Sequence, residues 1–463
     1  MKRQVRVEFV VLLLLLVQSV LLHVLPDHAV QGIVAAVVLL VFAAHTWRVE
    51  LTPGYILFIL NTASGLSQSA APLWLAWVQG VLFVLAIAAT FLFPLPLFPR
   101  PSYLHPLVGC TSMRLRGVDC RIFYPTDTKD GGTALPYLHH GKHLAIGLHT
   151  FINLPTWFFA SLSNGTLWAR VGVPVAKSSG GWPVLVFSHG MGGSLEMYSS
   201  ITQYVASEGF VVVAVNHDDG SASVSRNADG STYMYYQRPP QSALDDWAGE
   251  GYFVRNNQVH TRVHHIQTVL DALADLQNDD VDGLLYHQLD LDRIVAAGHS
   301  FGGATALSAA KRDARIKAVV GLDMWMEPLD ADVVADGVPA VPVCSIISQH
   351  WLSEWDSHFE LLKTMARRCR HPSSAFFALA QTRHNNFCDL PLFSPFLNQH
   401  FKAAGAIRPT YLLQMVGQLM GAYLRTHLGN ALDQEFAHVR SRYPEILPLD
   451  DEAATTTSYH TFD

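Results

Sequence analysis

Charge is distributed unevenly along this chain, and that unevenness limits what it can fold into. Among 463 residues there are 31 Lys and Arg and 38 Asp and Glu. Those within residues 1–99 are Lys2, Arg3, Arg6, Glu8, Asp27, Arg48 and Glu50. So little charge is typical of a membrane region, whereas the rest has the charge of a water-soluble domain. The sequence therefore predicts a transmembrane helical region over 1–99, a folded domain over 100–448 and a polar tail over 449–463.

Apolar runs within the first part predict three or four membrane-spanning helices. Residues 9–25 contain no charge and would extend about 25 Å as a helix. Further runs cover 30–44 and 72–93, and a weaker run begins at 55. A cleaved secretory signal is the alternative, but no A-x-A-like cleavage site follows the first run and more apolar runs come after it. We therefore expect a multi-pass membrane protein.

The side of the membrane on which the folded domain lies depends on the number of crossings. The charges of Lys2, Arg3 and Arg6 favour a cytoplasmic N-terminus. Three crossings would place the domain in a lumen or outside the cell, and four would place it in the cytoplasm. The sequon at 164–166 is usable only outside, but one such triplet is expected by chance. The five cysteines lack a CxxC pair and do not decide the redox compartment.

Apolar runs alternate with helical periodicity from about residue 107, which predicts an α/β sheet of mostly parallel strands. The runs are short, continuous and rich in Val, Ile, Phe and Ala, as expected for strands covered on both faces. The predicted strands are 184–187, 210–215, 294–297, 316–322, 341–347 and 375–380. The predicted helices are 195–207, 256–277, 303–310 and 409–427.

Residues 298–302 read Gly-His-Ser-Phe-Gly and fit the pattern G-x-S-x-G. The pattern alone is often accidental, but here it follows the predicted strand 294–297 and precedes a helix start, which is the context that the motif requires. Such a turn holds Ser300 in strained geometry with its hydroxyl exposed. The helix N-terminus adds partial positive charge where an oxyanion would form. The sequence therefore predicts Ser300 as a catalytic nucleophile.

A serine nucleophile needs a base, and the base needs an orienting acid. Asp323 directly follows the predicted strand 316–322, at the sheet edge where loops build the sites of open α/β folds. A loop carboxylate that caps a turn is the alternative explanation. Asp330 and Asp332 lie further from the strand and are weaker candidates for the acid.

The base must be a histidine later in the chain. The candidates are His350, His358, His371, His384, His400, His427, His438 and His460. Of these, His384 follows closely on the late predicted strand 375–380 and lies in a polar loop. Its position therefore makes His384 the predicted base.

An oxyanion hole needs two backbone N–H donors. Phe301, directly after the nucleophile, would supply one of them. The segment 188–193 follows the predicted strand 184–187 and reads Ser-His-Gly-Met-Gly-Gly, so the Met191 N–H is the predicted second donor. A tight turn that merely needs its glycines is the alternative explanation of this segment.

Other classes of function find no support in the sequence. The net charge of −7 does not indicate a nucleic-acid partner. Two histidine clusters, at 139–143 and 264–265, lack the carboxylate or cysteine partners of a metal site, so we expect no metal and no cofactor.

Several segments together resemble the platelet-activating factor acetylhydrolases, the group VII phospholipases A2. These segments are VGCT (108–111), RIFYP (121–125), VFSHGMG (186–192), VNHDDGSAS (215–223), RNNQV (255–259), GHSFGGAT (298–305), LDMWMEPL (322–329) and HNNF (384–387). The resemblance covers about 105–425. It implies an α/β-hydrolase fold and a calcium-independent serine lipase.

The resemblance also implies a role for particular residues. Ser300 would be the nucleophile, Asp323 the acid and His384 the base, with oxyanion donors from Met191 and Phe301. Each role falls on the residue that the pattern alone had indicated.

Two features depart from the family. Its secreted members have a signal peptide, whereas this chain has several apolar runs. Asn216 and Asp218 stand beside His217 where other members carry different charged residues, so substrate preference and the binding surface are expected to differ.

Two apolar segments near the predicted site have alternative explanations. Residues 144–162 are uncharged and rich in Phe, Leu and Trp, which suits either a lid that touches lipid or a buried insertion. Trp325 and Met326 would line an acyl pocket or belong to the core.

The expected function is hydrolysis of the sn-2 ester of phospholipids that carry acetyl, short or oxidised acyl chains. The expected partners are the phospholipid substrate and the membrane. A general carboxylesterase of the dienelactone-hydrolase kind is one alternative. A catalytically silent membrane scaffold that has kept the fold is another.

Overall fold

The computed structural model describes residues 7–25, 27–43, 48–67, 72–139, 141–278, 283–338, 340–429 and 434–449. The predicted polar tail therefore lies outside the described residues from 450 onwards. The N-terminal charges at Lys2, Arg3 and Arg6 also lie outside them, as do His140 of the cluster at 139–143 and the candidate base His460.

The strands are short, and most follow the apolar runs of the sequence. They are β1 (Val108–Leu115), β2 (Val118–Pro125), β3 (Thr133–Pro136), β4 (Thr166–Val171), β5 (Trp182–Ser188), β6 (Val211–Asn216), β7 (Val224–Arg226), β8 (Tyr233–Tyr235), β9 (Leu289–His299), β10 (Ile316–Leu322), β11 (Val343–Ser348), β12 (Ala375–Leu379) and β13 (Ile446–Pro448).

The helices precede the sheet in the first part of the chain and alternate with its strands afterwards. They are α1 (Val7–Val24), α2 (His28–Ala43), α3 (Thr52–Leu66), α4 (Leu73–Leu92), α5 (Gly141–Ile152), α6 (Ser199–Ser207), α7 (Gln241–Asp245), α8 (Tyr252–Asn278), α9 (Phe301–Arg312), α10 (Ala331–Asp336), α11 (Gln349–Glu354), α12 (Asp356–Arg368), α13 (Leu390–Phe393), α14 (Pro395–His400), α15 (Pro409–His427) and α16 (Glu435–Arg440).

Within the described residues, eleven strands form one sheet in the order β13-β12-β11-β10-β9-β5-β6-β2-β1-β4-β3. The six strands from β12 to β6 are all parallel to one another. Antiparallel strands flank them, β13 on one side and β2 on the other. The prediction of a mostly parallel α/β sheet is therefore confirmed.

All six predicted strands are present, and they are the six parallel strands at the centre of the sheet. β10 has the predicted bounds, whereas β9 begins five residues before the predicted 294–297. The first half of β9 is polar and pairs with the start of β5 across a register shift, so no apolar run marked it. The strands β1, β3 and β4 at one end of the sheet escaped prediction for a related reason, because several of their residues are only partly buried or exposed.

The helix predictions are also confirmed, although one predicted helix begins as a 3-10 turn. α15 has the predicted bounds, and α8 and α9 extend the predicted 256–277 and 303–310 by a few residues at each end. The predicted helix 195–207 begins as a 3-10 turn, Leu195–Tyr198, and becomes α-helical only from Ser199.

The core lies on both faces of the sheet, as parallel strands require. Alternate residues of β5 enter opposite clusters: Leu185 and Phe187 pack on one face, and Val184 and Val186 pack on the other. All four side chains are almost completely buried. The sheet is therefore a rigid platform for the loops at its carboxyl edge.

The first part of the chain is helical, α1 to α4. Among the described residues, one helix, α4, is long and apolar enough to cross a membrane, and Phe9–Val24 and His28–Phe42 are shorter apolar helices. Polar side chains meet inside this group, since Gln18 donates to Thr62 at 3.1 Å and Asn61 donates to Ser19 at 2.8 Å. The transmembrane bundle itself stays a prediction.

The approach of α9 to β5 is the closest contact between helix and sheet near the predicted site. A Cβ added to Gly302 would lie 2.0 Å from the Ser188 carbonyl oxygen. We therefore expect Gly302→Ala to lower the free energy of unfolding by about 2–3 kcal/mol, because the backbone of β5 cannot yield easily.

Gly80→Ala, inside helix α4, is the control, because a Cβ at Gly80 would meet nothing within 4 Å. Urea unfolding of both variants is the measurement. An equal loss in the two variants would contradict the assignment of this contact.

Candidate active site

Ser300 lies at the sharp turn between β9 and α9. Its φ of +56° is in the left-handed region, which is rare for a residue with a side chain. The surroundings hold this conformation, since the Ser300 N–H donates to the Leu322 carbonyl at 2.8 Å and its carbonyl accepts from Trp325 at 3.1 Å. This is the strained strand–turn–helix geometry that the sequence predicted.

Asp323 follows β10 directly and is fully buried. Its carboxylate accepts three hydrogen bonds, from the Ser348 N–H at 2.7 Å, the Ser348 hydroxyl at 2.6 Å and His384 Nδ1 at 3.0 Å. A buried carboxylate is stable only with such donors. The alternative acids Asp330 and Asp332 both form ion pairs with Arg312 instead.

His384 follows β12, and its ring is held on two sides. Trp351 stacks on it with ring centroids 4.3 Å apart and planes at 8°. Because the Asp323 carboxylate only accepts, Nδ1 of His384 carries the proton, and Nε2 of the neutral ring is an acceptor. Sequence analysis missed Ser348 and Trp351, since nothing in the local sequence marks them.

The structure brings Asp323 and His384 into direct contact, but it does not join His384 to Ser300. No hydrogen bond connects these two side chains in the described part of the chain. The ring of His299, the residue before Ser300, nevertheless lies 4.4 Å from the His384 ring, centroid to centroid. Catalytic hydrogen bonds are often long in a site without substrate.

The other described histidine candidates have different partners. His350 pairs with Glu354, and His358 accepts from the Met326 N–H in a buried position where desolvation lowers its pKa to about 4. His400 stacks on Phe396. None of these contacts includes Asp323.

The glycine-rich segment after β5 lies beside the nucleophile. A Cβ on Gly190 would lie 3.3 Å from the Ser300 Cβ. Gly192 and Gly193 donate their N–H groups to Ser221 and Gly190. The N–H groups of Met191 and Phe301, the two predicted donors, have no acceptor among the described residues.

A buried ion pair supports this segment from behind. Arg262, on α8, donates to the Asp219 carboxylate at 2.8 Å and to the His189 carbonyl at 2.7 Å. Its guanidinium lies 4.4 Å from the centroid of the Phe301 ring. Burial would raise the pKa of Asp219, but the charge and hydrogen bonds of Arg262 and Ser221 hold it below its usual range.

The same ion pair affects His189. Desolvation, followed by the charge of Arg262, lowers the pKa of His189 to about 3, so this ring is neutral at physiological pH. Sequence analysis missed the pair. A signal was present, because Arg262 falls on the apolar face of the predicted helix 256–277, where an unpaired charge would be unstable.

One part of the apolar segment 144–162 is buried in the core, and another part is exposed. Leu144 and Leu148 of α5 are buried in the core, whereas Trp157 is 61% exposed. Phe151, at the end of α5, lies against the oxyanion segment, since its ring would be 2.1 Å from a Cβ on Gly192. One side of the segment is therefore core, and the other is a free apolar surface beside the site.

Trp325 and Met326 belong to the core, as one of the two explanations proposed. Met326 is fully buried, and Trp325 stacks on Trp247 with centroids 5.3 Å apart. Trp325 also contacts the Phe301 ring at 5.6 Å. It therefore supports the predicted oxyanion donor from the side.

Comparison with known proteins identifies the family. Residues 101–444 match the family model of platelet-activating factor acetylhydrolase, isoform II. The chain belongs to this family. The match extends slightly beyond the 105–425 expected from the sequence motifs. Like its relatives, the protein is a carboxylic ester hydrolase.

Curated relatives cover between about half and three quarters of the chain. The platelet-activating factor acetylhydrolase of Canis lupus familiaris is 28% identical over 376 residues, which are 74% of this chain and 80% of that protein. A putative phospholipase A2 of Schizosaccharomyces pombe is 28% identical over 47% of this chain and 58% of that protein. A probable 1-alkyl-2-acetylglycerophosphocholine esterase of Arthroderma benhamiae is 26% identical over 46% of this chain and 49% of that protein.

A solved structure shares the fold. The ferulic acid esterase from Streptomyces cinnamoneus superposes with a TM-score of 0.59 at 19% identity, covering 76% of this chain and 98% of that one. At this identity the likeness concerns the architecture alone.

The two residues at which the sequence departs from the family have local partners. Asn216 accepts from the Leu195 N–H at 3.1 Å and donates to the Val224 carbonyl at 2.8 Å. Asp218 pairs with His265 at 3.1 Å. Both residues therefore shape the loop after β6.

Removal of the Ser348 hydroxyl tests how the carboxylate is held. Ser348→Ala removes one of three donors to Asp323 and also the cap that accepts from the Trp351 N–H at 3.3 Å. We expect kcat for ester hydrolysis to fall about tenfold with little change in KM, since His384 would be oriented less well.

Ser353→Ala is the matched control on α11, the helix that Ser348 caps, because the Ser353 hydroxyl is exposed and donates to the Gln349 carbonyl. Steady-state kinetics with a soluble ester give both constants. A Ser348→Ala enzyme with the kcat of Ser353→Ala would contradict this role.

Proposed function

We propose that this protein hydrolyses the sn-2 ester of phospholipids with acetyl, short or oxidised acyl chains, without calcium. The proposal depends most on one observation, the hydrogen bond between His384 Nδ1 and the buried Asp323 carboxylate beside the strained Ser300 turn. The activities after which the relatives are named support the substrate class.

The first step is attack by Ser300. Its Oγ adds to the ester carbonyl carbon while Nε2 of His384 takes the hydroxyl proton. Asp323 holds the ring through Nδ1 and stabilises the imidazolium. The carbonyl oxygen becomes an oxyanion, which accepts hydrogen bonds from the N–H groups of Met191 and Phe301.

The second half of the reaction releases the products. The tetrahedral intermediate expels the lysophospholipid oxygen, which takes the proton from His384, and an acyl-enzyme remains on Ser300. Water then attacks the acyl carbon as His384 removes its proton. Collapse returns the proton to Ser300 and releases the free fatty acid or acetate.

We further propose that α1 to α4 anchor the protein in a membrane. The polar groups of Gln18 and Asn61 face the interior of this group, whereas large apolar side chains such as Trp77 and Val84 are exposed. This distribution is the reverse of that in a water-soluble helical bundle and suits a lipid environment.

The end of α4 contacts the folded domain beside its free apolar surface. Phe91 lies 5.2 Å from Phe396 of α14, and Phe93 lies 5.6 Å from Phe158, centroid to centroid. The exposed Trp157 and Phe401 are near these contacts in sequence. This arrangement would keep the apolar surface at the level of the lipid headgroups, where the substrate is.

Ser300→Ala is the direct test of the proposed chemistry. We expect turnover of an acetyl phosphatidylcholine to fall by several orders of magnitude and labelling by a fluorophosphonate probe to disappear. Ser308→Ala is the matched control, because Ser308 lies on α9, the helix that follows Ser300, and its buried hydroxyl has no hydrogen-bond partner among the described residues.

The alternatives predict different results in the same assay. A general carboxylesterase would prefer p-nitrophenyl esters to phospholipids of every acyl length. A silent scaffold would remain unlabelled by the fluorophosphonate while folded. Products from native and Ser300→Ala enzyme, compared by lipid mass spectrometry, distinguish the three functions.

Four crossings predict that both ends of the chain lie on one side of the membrane, with the catalytic domain in the cytoplasm. We expect epitopes attached at Met1 and at Asp463 to respond alike to protease added to sealed vesicles, and the protein to resist extraction by alkaline carbonate. Opposite protection of the two epitopes would indicate three crossings and a catalytic domain on the lumenal or extracellular side.

A further inference from the structure

Hydrogen bonds join three loops of the active site in one continuous chain. The Gly190 N–H donates to the Tyr198 hydroxyl oxygen at 3.0 Å. The Tyr198 oxygen lies 2.9 Å from His299 Nδ1, and His299 Nε2 lies 3.1 Å from the His384 carbonyl oxygen. The chain therefore connects the oxyanion segment, the residue before Ser300 and the loop of the base.

The chemistry of each group determines whether it donates or accepts in this chain of hydrogen bonds. The His384 carbonyl only accepts, so His299 Nε2 carries a proton. Nδ1 of the neutral ring is then an acceptor, and the Tyr198 hydroxyl must donate to it. The hydroxyl oxygen is left to accept from Gly190, as the structure has it.

The protonation states that this order needs are those that the surroundings favour. Burial, together with the nearby His384 ring, holds the pKa of His299 well below its usual range, so the ring is neutral. Burial raises the pKa of Tyr198, so its hydroxyl keeps its proton. Both side chains are almost fully buried, and water therefore does not compete for these hydrogen bonds.

The segment of Tyr198 is attached to the loop of the base at a second point. The Asp389 N–H donates to the Met197 carbonyl at 2.8 Å, and the Asp389 carboxylate accepts from the Ser200 N–H at 3.2 Å. These contacts do not involve the Tyr198 hydroxyl. Removal of that hydroxyl alone should therefore leave the two segments packed together.

We propose that Tyr198 and His299 are positioning residues, which hold the Gly190–Met191 amides and the His384 loop at a set distance from Ser300. The inference rests on the proposed function, since it assigns these residues to the same reaction. Neither residue needs to touch the substrate. Loss of either Tyr198 or His299 should therefore lower kcat much more than it raises KM.

Two substitutions break the chain of hydrogen bonds, and a third is designed to keep it. Tyr198→Phe removes only the hydroxyl, and His299→Leu removes both ring nitrogens at similar volume. His299→Gln retains a donor and an acceptor in one planar group. We expect kcat to fall about tenfold to a hundredfold in the first two variants, with KM within about twofold of the native value, and to be higher in His299→Gln than in His299→Leu.

Tyr423→Phe is the matched control. The Tyr423 side chain is fully buried and its ring packs against Phe436. Within the part of the chain that the structure describes, its hydroxyl has no hydrogen-bond partner. We expect this variant to have native kcat. If Tyr198→Phe matched Tyr423→Phe in kcat, or His299→Gln were no better than His299→Leu, the proposal would be overturned.

A second measurement is independent of activity. In protein labelled with ¹⁵N-histidine, the His299 signals are assigned by their loss in His299→Gln. We expect the native ring to carry its proton on Nε2, and the Nδ1 signal to shift in Tyr198→Phe. A proton on Nδ1 in the native protein would refute the chain of hydrogen bonds. Native and Ser300→Ala proteins could be equally inactive while the native protein shows the expected Nε2 proton on His299. That result would refute the proposed function but not the chain of hydrogen bonds.

Discussion

A carboxylate that is removed from water must be surrounded by hydrogen-bond donors, and the candidate site is built around such a buried carboxylate. Asp323 is fully buried and accepts from Ser348 twice and from His384 once. These residues come from the ends of three adjacent parallel strands, β10, β11 and β12. Loss of any donor would leave a buried charge partly unpaired, so the carboxylate holds the strand ends and the imidazole in one arrangement.

A second buried charge supports the opposite side of the site. Arg262 reaches from α8 beneath the segment after β5 and binds the Asp219 carboxylate and the His189 carbonyl. A buried pair of this kind contributes little net stability, but removal of one partner is costly. Its effect is therefore to fix the loop that carries Met191. The predicted base and the predicted oxyanion donors are thus held by separate networks, which meet at His299 and Tyr198 through neutral hydrogen bonds.

Much of this arrangement follows from regularities that act locally in the sequence. The strands covered on both faces were predicted as continuous apolar runs because most of their residues are buried. The Ser300 turn was predicted because a strand, a glycine pair and a helix start are contiguous there. Asp323 and His384 were predicted from their places just after apolar runs. Strands outside the parallel centre of the sheet, such as β1, were missed, since partly exposed residues interrupt their apolar pattern.

The sequence alone determined the six central strands and the main helices between them, the charge-poor first part and the residue types at the ends of the parallel strands. These are properties of neighbouring residues, which repeat with the period of a helix or strand. Only the tertiary structure decided that Ser348 and Trp351 hold His384, that Arg262 supports the oxyanion segment, and that Tyr198 reaches His299. Those contacts join residues about 30 to 100 positions apart, and their geometry depends on how the whole sheet twists and packs, which no local pattern contains.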